Sequence, residues 1–187
     1  SISVQYADRA TIARNRVYQN DGEGIAVVLS DNSVVEANEV SDSFSVGIYL
    51  DNAQSTRVEG NFVYSTGNSR YFRDGFPASG IATANESYST SNPLTELTIT
   101  NNIVVDTRYG FYYGAFEAGG GLKNTTIANN TAAHGDAISI NSTGVVELRN
   151  TLIANPDAGA DCVGNPLLPT SLGFNLEEGG STCNLTG

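Results

Sequence analysis

The sequence predicts an all-β chain wound into stacked parallel coils, and three observations predict it. An asparagine recurs between apolar residues at a regular interval, a glycine follows it at a fixed offset, and the segments around them alternate apolar and polar residues. Composition agrees. Of 187 residues, 40% are hydrophobic and 16% charged, so solubility rests largely on Asn, Ser, Thr and Gly. That mix suits short strands joined by many turns.

The asparagine signal begins in "TIARNRV" with Asn15. It continues in "VEANEV" (Asn38), "VEGNFV" (Asn61), "ITNNIV" (Asn102) and "IANNTA" (Asn130), with a shortened copy, "VELRNTLI", at Asn150. The intervals are 23, 23, 41, 28 and 20 residues. Gly24-Ile25, Gly47-Ile48, Gly80-Ile81 and Gly110-Phe111 each open a short alternating strand. In the first two coils the glycine lies nine residues after the asparagine, a shared offset that argues against coincidence.

Each unit therefore reads strand, asparagine turn, strand, glycine turn, strand. Alternation turns Ile48 and Leu50 to one face and Tyr49 and Asp51 to the other. One unit alone cannot enclose its apolar side. Stacked units bury a continuous column of Val, Ile, Leu and Phe. The tight Asn-Gly turns that a pile of hairpins needs are missing at the repeat boundaries, which favours parallel coils of about 23 residues.

On its I-x-x-N-x-V and G-I-x-L patterns, over roughly residues 2 to 155, the sequence resembles the right-handed parallel β-helix family, the pectate-lyase-like superfold. The resemblance implies six or seven coils. It also implies that Asn15, Asn38, Asn61, Asn102 and Asn130 form a ladder, each side chain bonding its neighbours in adjacent coils. The asparagine is expected to take the left-handed backbone of the bend.

The coils are expected over residues 1–155, with insertions at 67–79, 85–94 and 112–121, where the asparagine spacing stretches. Loops on a rigid scaffold are where binding and catalysis concentrate. Residues 156–187 change character, with both cysteines and a poor strand rhythm. This tail resembles the closing segment of bacterial surface β-helix proteins and is expected to cap the last coil. Cys162 and Cys183 are read as a disulfide rather than two free thiols, closing a loop of about 20 residues for roughly 3 kcal/mol. A disulfide points to an oxidising compartment, hence a secreted or cell-surface protein. The chain contains no methionine and opens on "SISVQYADRATI" without a comparable cap. Further N-terminal sequence, or another domain of the same precursor, is expected to cover that end.

Net charge is −11, with one lysine and eight arginines. That argues against nucleic acid, whose phosphates need clustered basic side chains. No apolar run approaches the roughly 20 residues of a membrane span.

Aligning the coils on the asparagine yields two columns of candidate chemistry. Four positions on stand Gln19, Asp42, Ser65, Asp106 and His134; two further stand Asp21, Phe44, Gly67, Arg108 and Asp136. His134 then neighbours Asp106, a pairing suited to proton transfer, with Arg108 and Asp136 alongside. Against this stands the plain reading, a polar surface turn. Asp42 and Asp106, two coils apart at about 9.6 Å, barely permit the acid pair of an inverting glycoside hydrolase. A polysaccharide lyase would instead use a basic residue and calcium. Asp106, Asp136, Asp21 and Glu23 offer oxygens for Ca²⁺ but form no recognised calcium motif. Ordinary zinc sites are excluded by one histidine and two paired cysteines.

Aromatic residues crowd the insertions. Tyr71, Tyr109 and Tyr112, with Arg73, Asp74 and Asp136, are expected to line a groove where rings meet sugar C–H faces and polar groups bond hydroxyls. The resulting expectation is an extracellular module that binds or cleaves a polysaccharide along one flank. The alternative is a non-catalytic spacer domain of a larger secreted or surface protein.

Overall fold

The computed structural model describes residues 1–86 and 97–115. Beyond them it describes strands at 122–123, 126–128, 138–140, 147–149, 152–154, 162–164, 170–171 and 176–177, with Gly173 and Cys183. The coils form three parallel sheets of seven strands each. The first sheet stacks Ile2–Gln5, Ile25–Val28, Val46–Asp51, Ser79–Asn85, Phe111–Ala115, Ile138–Ile140 and Cys162–Gly164. The second begins at Thr11–Ala13 and ends at Thr170–Ser171; the third begins at Arg16–Asn20 and ends at Leu176–Glu177. This is the expected parallel β-helix, with seven coils, and strands continue past residue 155 into the tail. Cys162 and Cys183 are joined as a disulfide.

Register shows why the apolar residues recur. Ile25, Ile48, Ile81 and Phe111 stack rung upon rung on the first sheet. Val35, Val58 and Ile99 do so on the second, and Val17, Val40, Val63 and Val104 on the third. All are buried and meet in one core. Burying each such side chain contributes about 1.5–3 kcal/mol. Thr83 is the exception in its column, between Leu50 and Tyr113, and its hydroxyl has no partner among the described residues.

The asparagines form the expected ladder. The backbone N–H and the side-chain amide of Asn15 both donate to the Asn38 side-chain oxygen, each at 3.0 Å. Asn38 does the same to Asn61 at 3.0 Å, and Asn61 to Asn102 at 3.0 and 2.9 Å. The remaining amide hydrogen reaches a carbonyl of the preceding coil: Ile12 for Asn38, Val35 for Asn61 and Val58 for Asn102. Asn130 lies outside the described residues.

One detail is corrected. The left-handed residue is not the asparagine but the one before it: Arg14, Ala37, Gly60 and Asn101, with φ of 57°, 52°, 62° and 55°. Kinking the chain one residue earlier aims the carboxamide along the stack, where its bonds lie. For a non-glycine residue that backbone costs roughly 1–2 kcal/mol, offset by the buried hydrogen bonds it makes possible.

The glycine landmark has a different cause. A Cβ on Gly47 would fall 2.5 Å from Val63 Cγ1 and 2.6 Å from the Gly80 carbonyl oxygen. Gly24 meets Val40 and the Gly47 carbonyl at the same two distances. The third sheet's inward valines press against the start of the first sheet, and a hydrogen is all that fits.

Candidate functional site

The column four residues after the asparagine marks a kink within or just after the strands of the third sheet. Gln19, Asp42 and Asp106 have left-handed φ of 56°, 50° and 53°. Asp42 is 7% exposed, and its two carboxylate oxygens accept from Thr66 of the next coil, one from the backbone N–H at 2.9 Å and one from the hydroxyl at 2.8 Å. The carboxylate ties one bend to the next. Asp106 is exposed at its bend. His134 and Asp136 lie outside the described residues, as do Asn150 and most of the 85–94 and 112–121 insertions, so the Asp106–His134 pair is not placed.

The 67–79 insertion is a built structure. Asn68 caps a 3₁₀ turn over Ser69–Tyr71, its side chain accepting from Arg70 N–H at 3.2 Å. Tyr71, 6% exposed, plugs into the flank and anchors the loop. Arg73 and Phe76 then exchange backbone hydrogen bonds at 2.8 and 3.1 Å around Asp74 and Gly75. Both central residues have positive φ, 54° and 83°, the backbone of a type I′ turn that Asp-Gly favours. Arg73 and Asp74 stand exposed at this tip. The chain returns to the coil where Arg108 N–H donates to the Ala78 carbonyl at 3.0 Å.

That return produces a series of stacked groups. The Arg108 guanidinium lies 4.9 Å from the centre of the Phe76 ring and 5.3 Å from that of Tyr109. Tyr109 stacks on Tyr112 at 5.7 Å and 24°. Phe76, Arg108, Tyr109 and Tyr112 thus run from the insertion tip onto the outer face of the first sheet. Each guanidinium–ring contact contributes about 0.5–1 kcal/mol where partly exposed.

A second group shares this face. Tyr112, Ala82 and Tyr49 occupy one outward column, and Gly114, Ala84 and Asp51 the next. The Tyr49 hydroxyl donates to Glu86 Oε1 at 2.6 Å, and Glu86 N–H donates to Asp51 Oδ1 at 3.2 Å. Asp51 is 1% exposed although its position faces outward.

Phe76, Asp51 and Glu86 were missing from the sequence-derived site. A signal for Phe76 existed in "RDGF", a tight-turn motif that places the following residue back against the scaffold. Nothing in sequence order joins Asp51 to Glu86, which meet only through the register of adjacent coils.

The cleft beneath the insertion, lined by Ser41, Asp42, Ser43, Tyr64, Tyr71 and Thr107 among others, has room for about 10 Å³. That is about one water, so this cleft takes no sugar ring. Among the described residues no three His, Cys, Asp or Glu side chains come together to hold a metal ion. Nor is any described helix long and apolar enough to cross a membrane.

Comparison with known families matches residues 1–132 to the model of a right-handed beta helix region. No curated protein and no solved structure matches the chain.

Proposed function

Because the chain belongs to the right-handed β-helix family, it presents rigid flanks with loops mounted on them, and we propose that one flank binds polysaccharide outside the cell. The observation that carries this reading is the Phe76–Arg108–Tyr109–Tyr112 series. It lines up rings and a cation along a solvent-facing surface, with the hydrogen-bonding groups of Tyr49 and Glu86 beside it. Rings of this kind cover the C–H faces of sugars, and Glu86, Asp74 and Arg73 can bond their hydroxyls. Tyr71 acts from beneath, holding the insertion in place.

Binding is favoured over cleavage. Asp42, half of the conceivable inverting pair, already has both oxygens bonded to Thr66. Should cleavage occur, Asp106, Arg108 and His134 are the residues we propose for it. The disulfide supports a secreted or cell-surface location. A second reading, a spacer within a larger surface protein, draws on the uninterrupted asparagine ladder and the stapled far end.

A glycan array separates the two. The wild type is expected to bind at least one polysaccharide, and Tyr109→Ala and Tyr112→Ala to weaken that binding roughly tenfold each with little change in Tm. Binding to no glycan would leave the spacer reading in possession.

A further inference from the structure

We propose that the glycan on this flank is largely neutral and carries one isolated oxyanion substituent (a sulfate, phosphate or carboxylate), received by Arg108. This rests on the reading above and narrows it. Arg108 is half-buried, and rings of Phe76 and Tyr109 rest against its guanidinium. No carboxylate among the described residues reaches it, and none of its side-chain N–H groups has a hydrogen-bond partner there.

Arg9, Arg16 and Arg57 are each paired with an acid. Arg14, Arg70 and Arg73 make no such pair, but they stand exposed, where pairing contributes little. Arg70 also lies over a ring, that of Tyr71 at 5.6 Å, but it is exposed; Arg108 alone among these seven is unpaired, half-buried and set between two rings. A guanidinium stays charged at physiological pH, and its open edge presents parallel donors that match an oxyanion.

The charge around it limits the ligand to one such group. Asp74 stands two residues before Phe76, Asp106 two residues before Arg108, and Glu86 on the adjoining face, all three exposed. The whole chain carries −11. A second or third anionic group along the ligand would meet these carboxylates, and the described residues gather no metal site to bridge them. A uniformly charged chain is therefore disfavoured, and a neutral chain with a single charged substituent fits.

The test is an array on which each neutral oligosaccharide stands beside the same chain bearing one sulfate, one phosphate or one uronate, together with fully charged uronate hexamers. Wild type, Arg108→Gln and Arg108→Lys are compared, with Tm as a check on folding. The wild type is expected to bind a singly substituted chain about tenfold or more tightly than its neutral parent. Whatever its effect on binding of the neutral parent, Arg108→Gln should bind the substituted chain no more tightly than that parent, and Arg108→Lys should keep part of the preference. The sulfate, phosphate and uronate arms identify the substituent. Equal binding of neutral and substituted chains, a preference that survives Arg108→Gln, or tightest binding of the uronate hexamers would overturn the inference while leaving glycan binding intact. If nothing on the array binds, the reading of the flank itself falls.

Discussion

The first three coils and the flank of the fourth and fifth use similar residues for opposite ends. In the regular coils, ion pairs and the asparagine ladder close within the stack. Arg57 pairs with Glu36 and Glu59, Arg16 with Glu39, and each asparagine with the next. Glu39 and the Tyr64 hydroxyl hold the Arg16 guanidinium above its ordinary pKa. Where the insertion interrupts the spacing, matching stops: Arg108 has rings for company and no counter-ion among the described residues. In the regular coils the paired groups hold the stack together; on the decorated flank a half-buried guanidinium has no counter-ion among the described residues. That difference separates scaffold from site.

The contrast can be broken most severely at the ladder. Asn61→Ala removes the acceptor for two Asn38 donors and the donor to Asn102 within a buried column. A loss of about 3 kcal/mol or more is expected in denaturant unfolding. Glycan binding per folded molecule should be unchanged.

Glycines sharpen the comparison. Gly47→Ala drives a methyl group into Val63 and the Gly80 carbonyl, for a cost of about 2–3 kcal/mol. Gly75→Ala meets nothing within 4 Å, and its cost of about 1 kcal/mol comes only from its φ of +83°. Parallel thermal melts distinguish the two, and equal losses would contradict the close approach described for the scaffold.

The smallest effect is expected inside the core. Thr83→Val replaces a buried hydroxyl that has no partner among the described residues with a methyl group and should be neutral or stabilising by up to about 1 kcal/mol in urea unfolding. A marked loss would mean that the hydroxyl is bonded.

How much of this was legible in the sequence follows from what repeats. The asparagine and glycine columns serve the same contact in each described coil that carries them, so spacing alone exposed them. The left-handed residue escaped because Arg14, Ala37, Gly60 and Asn101 share a backbone shape and no side-chain chemistry. The bonds from Thr66 to Asp42 stayed hidden because Thr66 lies one coil away, where sequence order conceals it. Tyr109 and Tyr112 show in the sequence only as aromatics near a stretched interval, because the Phe76 ring that meets Arg108 beside Tyr109 comes from an insertion with no counterpart in the first three coils. Repetition makes a scaffold readable, and a site is by nature unrepeated.

The in-register glycine and asparagine columns make each undecorated coil an interchangeable brick. Gly24 and Gly47 meet equivalent neighbours, as do Asn15 and Asn38. Duplication or loss of one 23-residue block would carry the flank about 4.8 Å along the axis, away from or toward the first coil, while keeping the ladder and glycine contacts in register. Evolution can thus alter the reach of this molecule independently of what it grips.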